Sequence, residues 1–275
     1  MIIDTHVHTG VFEAPDRVVN MTEEIVLESM KLYRINYALV SDAAVEYDCE
    51  WNPIPLDRQI GQEESFRHSI VFARTYPEKI GIMPWVKPAN ETASEEFEEL
   101  LKNNLDIVYG IKVHPFHSKI AFDSERVEPY IKLAQKYHLP VVTHTADCDE
   151  ASPRRVYNMA LKYPDVNFVM VHMGLGTDNQ EAIELLGKLP NLYGDTTWVP
   201  LESTLQIVEK YGSKKLVFGS DSPIDGLHTY HHNEKGERSL YQRYFYELED
   251  KIGKEAYEDI MYKNAIRIFN ITRLF

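Results

Sequence analysis

The segment Asp4-Thr5-His6-Val7-His8 places two imidazoles two residues apart, just after an apolar run, Met1-Ile2-Ile3. Successive side chains of a strand face opposite ways, so His6 and His8 share one face and Val7 takes the other. Two neutral imidazoles side by side suit a borderline cation such as Zn²⁺. Alone, such a pair is as often two ordinary histidines near a chain end. The weight comes from later strand-like runs, several of which end in a polar group. Gly110-Ile111-Lys112-Val113-His114-Pro115 offers Lys112 and His114 on one face, and Val141-Val142-Thr143-His144-Thr145 offers His144. Phe168 to Gly174 offers His172, Tyr193 to Trp198 offers Asp195 or Thr197, and Val217 to Pro223 offers Asp221. Each of these singly is more often a hydrogen-bonded strand-end residue than a ligand. Imidazoles at three strand ends and an aspartate at another need a compensating charge if they are buried together, and a divalent cation supplies it.

The elements that must position these groups alternate along the chain. The strand candidates are Met1 to His8, Asn36 to Ser41, Ile80 to Val86, Ile107 to His114, Leu139 to Thr145, Val166 to His172, Leu192 to Thr197 and Lys215 to Asp221. Several are nearly continuous apolar runs, as expected of parallel strands covered on both faces. Amphipathic stretches separate them: Thr22 to Arg34, Asp57 to Tyr76, Ser94 to Asn104, Val127 to His138, Pro153 to Tyr163, Gln180 to Leu189 and Leu201 to Tyr211. Two more, Ser239 to Ile252 and Glu255 to Phe269, close the chain. Ser94-Glu95-Glu96 is a helix start, with a hydroxyl cap and acids in the first turn. Strand and helix alternating eight times predict an α/β fold, a (β/α)₈ TIM barrel forming a single domain over residues 1–275. An open doubly wound sheet is the rival. It is disfavoured because no Gly-rich phosphate loop follows the first strand, and because the polar residues end many strands rather than meet at one switch point. In a barrel the C-terminal strand ends converge on one mouth, where chemistry sits.

With those motifs in place, the chain resembles the amidohydrolase superfamily of metal-dependent barrel enzymes. It looks closest to the amidohydrolase-2 branch, which includes lactonases, hydratases and aminocarboxymuconate semialdehyde decarboxylase-like enzymes. The resemblance runs from Asp4 to about Asn270. It is carried by His6 and His8, Gly110 to Pro115, His144, His172 with Gly174, Gly219-Ser220-Asp221-Ser222-Pro223, and Asn264-Ala265 with Ile268-Phe269 near the end. It implies His6, His8, His144 and Asp221 as ligands of one metal, most simply Zn²⁺ with Mn²⁺ as the other candidate. His172 is then a neighbour that activates substrate. Such a set leaves room for a water whose pKa the metal lowers, and Asp221 can accept its proton. Lys112 is ambiguous. It is either a plain ammonium that steers a substrate carboxylate or polarises a carbonyl, or a carboxylated lysine bridging two metals, as in some superfamily members. One ion with unmodified Lys112 is favoured. The expected activity is hydrolysis of a small-molecule ester, lactone or amide, with Asp221, His172 and Lys112 as catalytic groups. The alternative is a lyase, non-oxidative decarboxylation of an aromatic or muconate-like acid. A metal-bound barrel without catalysis is the least favoured of the three.

The loops offer substrate contacts. Asp42 to Pro55 carries Asp42, Tyr47 and Trp51, and Ser222 to Arg238 carries His228, Tyr230, His231 and His232. Long loops on a barrel top serve as lids or substrate walls. His114, Trp85, Trp198 and His228 are the expected substrate-binding residues. Arg17, Arg154 and Arg155 are candidate carboxylate binders. The two cysteines, Cys49 and Cys148, form neither a C-x-x-C motif nor a disulfide framework. A net charge of -14 argues against nucleic-acid or anionic-membrane partners and leaves a small-molecule substrate as the expected one. A homo-oligomer stays open. The start of the chain has no signal-peptide pattern and no apolar stretch of bilayer-spanning length, so a cytoplasmic location is expected.

Overall fold

The computed structural model describes residues 1–275 apart from 15–16, 46–47, 50–51, 54–59, 225–228, 231–238 and 273–275, with backbone only at 12–14, 17–19, 45, 48–49 and 52–53. In chain order the elements are β1 (Ile3–Ala14), β2 (Arg17–Met21), α1 (Glu23–Tyr33), β3 (Tyr37–Asp42), β4 (Asp48–Cys49), β5 (Asn52–Pro53), α2 (Gln62–Thr75) and β6 (Ile80–Ile82). Then come α3 (Glu95–Asn103), β7 (Ile111–Val113), α4 (Pro115–Ser118), α5 (Glu128–Tyr137), β8 (Val141–Ala146), α6 (Pro153–Lys162), β9 (Phe168–Leu175) and α7 (Gln180–Leu186). The chain ends with β10 (Leu192–Asp195), α8 (Leu201–Tyr211), β11 (Leu216–Val217), α9 (Leu240–Tyr246), α10 (Leu248–Ile252), α11 (Lys254–Glu258) and α12 (Asn264–Phe269).

β1, β3 and β6 pair in parallel, as do β7 to β11 in sequence. Two seams join these halves into a (β/α)₈ barrel. Ile82 bridges Val108 and Trp85 bridges Lys112 on one side, and Val7 bridges Ser222 on the other. The second seam is reinforced where Thr5 N donates to Phe218 O at 2.9 Å and His8 N to Ser222 O at 2.8 Å. It brings the first and last strands, and so His6, His8 and Asp221, to one edge of the mouth.

Two apolar layers hold the barrel. Inside lie Ile3, Tyr37, Leu39, Met83, Tyr109, Val142, Val169 and Val217, and Ala265, Ile268 and Phe269 of α12 pack against the same cluster. Between strands and helices a larger layer runs through Val26, Phe66, Phe97, Tyr130, Val156, Ile183 and Ile207. The helices start where the sequence caps them: Thr22 Oγ1 accepts from Ile25 N at 3.3 Å, and Ser94 Oγ from Phe97 N at 3.0 Å.

The expected elements differ from the observed ones in a few places. The first strand continues past His8 to Ala14, because the added residues find an antiparallel partner in β2. The third ends at Ile82 instead of Val86, since Pro84 has no N–H to offer the ladder. In the last, only Leu216–Val217 pairs with β10, and the residues after it bond to β1. The region expected as loop after Ser41 holds the β4–β5 ribbon. The helix expected over Ser239 to Ile252 breaks at Glu247, and that over Glu255 to Phe269 passes through a wide turn at Asp259–Lys263. α4 was not expected. It begins at Pro115, which fits a first helical position, and His114 Nδ1 accepts from His117 N at 3.3 Å.

Candidate functional site

His6, His8 and Asp221 each aim one ligand atom at a common point, with all three atoms within 4.8 Å of one another. The Nε2 atoms of His6 and His8 lie 2.9 Å apart. Asp221 Oδ1 is 3.0 Å from the His8 Nε2 and 3.5 Å from that of His6. The far side of each ring fixes its tautomer. His8 Nδ1 lies 3.2 Å from the Ser41 carbonyl, which can only accept, so Nδ1 carries the hydrogen. His6 Nδ1 lies 3.2 Å from Thr197 Oγ1. The Thr197 hydroxyl donates to Asp195 Oδ2, so its oxygen accepts from His6. Both Nε2 lone pairs therefore face each other and a carboxylate oxygen. Three acceptors this close suit a cation placed between them. Ligands about 2.0–2.1 Å from a tetrahedral Zn²⁺ stand roughly 3.3 Å apart, and these separations bracket that value. The outer partners, Ser41 O and the Thr197–Asp195 pair, are the kind that orient metal-binding imidazoles. Donor chemistry and spacing both fit a divalent metal.

The cluster is held rigidly. His172, Met173, Trp198 and Asp221 have φ of 68°, 53°, 54° and 66°, in the left-handed region that L residues avoid at about 1–2 kcal/mol each. Hydrogen bonds pin them. His172 N donates to Asp195 Oδ1 at 2.9 Å, Trp198 N to Tyr241 Oη at 3.2 Å, and Asp221 N to His6 O at 2.9 Å. Asn179 Nδ2 reaches the Met173 carbonyl at 3.0 Å. Gly219 allows the closest approach, since a Cβ there would meet Thr197 Oγ1 at 2.6 Å and Asp195 Oδ2 at 2.8 Å.

Two further buried carboxylates flank His6. Asp195 accepts from His172 N, Thr197 N and the Thr197 hydroxyl. Asp4 accepts from His6 N at 3.2 Å, Ser220 N at 3.1 Å, Tyr230 Oη at 2.7 Å and the Ser220 hydroxyl. Burial pushes the Asp4 carboxyl up to about 7 despite these donors, and burial raises Asp195 too. Burial and the Lys112 ammonium hold the His6 imidazole well below its usual range. Burial alone would raise Asp221, but its close contacts with the neighbouring rings, His6 first, hold it well below the ordinary carboxylate range.

The other expected residues gather nearby, in different roles from some expectations. Lys112 is fully buried, its Nζ 3.0 Å from His6 Nε2, and burial pushes it down to about 8. His172 packs its ring edge against His6 and His144, at centroid distances of 5.5 and 4.6 Å. Its Nδ1 lies 3.2 Å from the Thr197 carbonyl, so its Nε2 lone pair also points away from that clamp. His144 is not in the group of three converging donors, and it stacks on His114 at 4.0 Å. His114 lies buried instead of at the rim. It stacks on Trp85 at 4.9 Å and contacts His117 at 3.9 Å, and its Nδ1 is an acceptor, the reverse of His6 and His8. Trp198 is more than a wall, since its indole N–H donates to Asp221 Oδ2 at 2.9 Å.

Of the candidate carboxylate binders, Arg154 pairs with Glu181, and Arg155 with Asp123 and Asp149. The Arg17 side chain, Tyr47, Trp51, His228, His231 and His232 lie outside the described residues, as does the Cys49 side chain. Cys148 is a half-buried free thiol. A cavity of about 500 Å³ lined by Thr9, Met21, Glu23, His68 and Phe72 among others contains none of the expected ligands. Sequence reasoning missed Asp4, Ser220 and Tyr230. The alternation that aligned His6 with His8 also puts Asp4 on their face, so that signal was available. Among the described residues no helix is long and apolar enough to cross a membrane.

Several solved structures share this fold along nearly the whole chain. A 2,6-dihydroxybenzoate decarboxylase from Rhizobium is 13% identical, with TM-score 0.66 and 98% of each chain covered. A 5-carboxyvanillate decarboxylase from Novosphingobium aromaticivorans, with bound manganese and 3-methoxy-4-hydroxy-5-nitrobenzoic acid, is 11% identical, with TM-score 0.68 and coverage of 98% of this chain and 97% of that one. A probable 2-pyrone-4,6-dicarboxylic acid hydrolase from Acinetobacter baumannii is 15% identical, with TM-score 0.61 and coverage of 98% and 99%. At these identities the likeness is one of fold. No curated protein sequence matches. The amidohydrolase-2 family model, described as "Amidohydrolase", matches residues 3–271. The chain that closes its first strand on its last around two imidazoles and an aspartate therefore belongs to the amidohydrolase-2 family.

Proposed function

We propose that the protein is a metal-dependent hydrolase of a small ester, lactone or amide. The observation that carries this reading is the inward lone pair on each of His6, His8 and His172, set by the outward partner of each Nδ1. A site rich in acceptors suits chemistry that begins by taking a proton from water. His6, His8 and Asp221 would hold the metal, with His144 as a fourth ligand. A divalent ion there supplies Lewis acidity towards a carbonyl oxygen and makes water a better nucleophile near neutral pH. Asp221 keeps Oδ2 fixed by the Trp198 indole, so its carboxylate is oriented to accept a proton and pass it to the leaving group. His172 stands beside it as a second acceptor. Lys112 is a buried cation next to His6, placed to draw in a carboxylate or polarise a carbonyl. The expected partner is a small molecule, with no nucleic acid or membrane, and a cytoplasmic setting fits that role.

One observation favours a second reading. Trp85, His114 and His144 stack into a slab of nearly parallel rings, with interplanar angles of 4° and 20°. A planar aromatic acid would fit such a wall, and two of the structural relatives described above are decarboxylases of aromatic acids. The product separates the readings. Protein loaded with Zn²⁺ or Mn²⁺ is incubated with a panel of lactones, esters and amides, and with hydroxybenzoates labelled with ¹³C at the carboxyl group. Acid release without ¹³CO₂ is expected, and ¹³CO₂ release establishes the lyase. Undiminished turnover after prolonged chelation overturns both.

A further inference from the structure

The three converging donors come from the first and last strands of the barrel, and one buried side chain ties those strands together. Asp4 Oδ1 accepts from the backbone N–H of His6 at 3.2 Å and from that of Ser220 at 3.1 Å. His6 is itself a donor of the cluster, and Ser220 is the residue before Asp221. Asp4 Oδ2 accepts from the Ser220 hydroxyl and from Tyr230 Oη at 2.7 Å, and those two hydroxyls lie 2.8 Å apart. Ser220 Oγ also accepts from Ser222 N at 3.1 Å, on the far side of Asp221. The result is a closed bracket around Asp221, whose own amide bonds to His6 O.

We propose that Asp4 is a positioning residue that fixes the gap between His6 and Asp221, and thereby tunes how tightly the centre binds its metal, with Tyr230 holding its outer oxygen. Asp4 does not ligate. It acts because a shift of a few tenths of an ångström between β1 and the turn after β11 changes all three donor separations together. An asparagine there keeps an acceptor for the two backbone amides but turns an N–H₂ towards two hydroxyls that now donate to Oδ2. Tyr230 is fully buried, 4.3 Å from Tyr33 and 5.6 Å from Tyr241 between ring centroids, so its hydroxyl can be removed with little change in packing.

This inference rests on the proposed metal centre, and the experiment keeps the two apart. Metal-free wild-type protein, Asp4→Asn and Tyr230→Phe are titrated with Zn²⁺ against a chromophoric chelator. The visible spectrum of each Co²⁺-loaded protein and the melting temperature of each metal-free protein are also recorded. Asp4→Asn is expected to bind Zn²⁺ about 10–100-fold more weakly, the usual cost of losing a group that orients a ligand. Its Co²⁺ spectrum should shift, and Tyr230→Phe should show a smaller change in the same direction. A purely structural role would lower the metal-free melting temperature and leave affinity and spectrum alone. Wild-type affinity and spectrum in Asp4→Asn overturn the proposal. If Asp4→Asn does not fold, the same result in Tyr230→Phe overturns it. Wild-type protein that binds neither ion overturns the metal centre itself.

Discussion

At the scale of single residues the site is organised by which side of each imidazole is occupied. Ser41 O, Thr197 Oγ1 and Thr197 O take the outward nitrogens of His8, His6 and His172 and leave the inward ones as acceptors. Asp221 is the charge they face. Replacing it with Asn keeps the size and the Trp198 contact but removes the charge and the proton acceptor. Turnover is expected to fall at least about 10³-fold, within the range for a lost general base, while circular dichroism stays that of the wild type. A near-normal rate would remove Asp221 from the proton path. Lys112 poses the opposite test. Burying an ammonium costs several kcal/mol unless it is well paired, and this one sits against an imidazole nitrogen. Lys112→Met should therefore melt no lower than wild type in the metal-free state, yet lose about 10²-fold or more in turnover if the cation touches substrate. Retained turnover would make Lys112 a bystander. Most of these groups were legible in the sequence, because strand alternation and strand-end position single out His6, His8, Lys112, His172 and Asp221. The indole bond of Trp198 and the left-handed backbone of His172 were not, since they depend on which strand end faces which.

At the scale of elements, the outer helices are joined by a repeated clamp. Glu98 of α3 meets Lys136 at 2.5 Å and the Tyr137 hydroxyl at 2.7 Å, at the end of α5. Glu128 of α5 meets Lys162 at 2.7 Å and the Tyr163 hydroxyl at 2.5 Å, at and just beyond the end of α6. Each clamp ties a helix start to the end of the next helix around the barrel. The Lys162 and Tyr163 bonds, with Lys132, hold the Glu128 carboxyl down at about 2, against an ordinary 4.5. A folded-state value below the unfolded one contributes stability above the unfolded value, and that contribution is lost as pH falls through the folded one. Glu128→Gln should therefore melt below wild type at pH 6, and the gap should close between pH 4.5 and pH 2. A gap that stays constant over that window would show that the clamp acts through packing instead of charge. The sequence displayed the Lys-Tyr endings of these helices but not their partners, because each glutamate lies about 35 residues away and only barrel closure brings it near. The β1–β2 hairpin and α4 were illegible for a related reason: each is a local continuation stabilised by contacts outside the eight-fold repeat.

At the scale of the whole molecule, the barrel converts a linear scatter of donor groups into a cage at one mouth, and the three that converge there are of the kind that hold a divalent cation. Imidazoles of His6, His144 and His172, the ammonium of Lys112 and the carboxylates of Asp4 and Asp195 are buried together, with the Asp221 side chain, 15% exposed, beside them. The fold was legible because eight apolar runs separated by amphipathic stretches have few other solutions. The order of closure followed from it, and so did the meeting of the N-terminal histidine pair with Asp221. What remained hidden was how tightly the cage is braced, since strand position brings Asp4 and Asp195 to the mouth without naming the hydroxyls and amides that bond to them. The bracing predicts a particular coupling between metal and stability. A ligand that binds only the folded state adds about 4 kcal/mol when its concentration reaches a thousand times its dissociation constant. For a barrel of this size that corresponds to a rise of roughly 10 °C in melting temperature. Zn²⁺ and Mn²⁺ should produce it in chelator-treated protein, and Mg²⁺ should not, because it favours oxygen ligands and gives up its water reluctantly. The Asp221→Asn variant should show a much smaller rise, since it keeps the two imidazoles but loses the charge that completes the set. Melting temperatures that ignore Zn²⁺ and Mn²⁺, or that rise equally in Asp221→Asn, would mean the three converging donors are not where the ion binds.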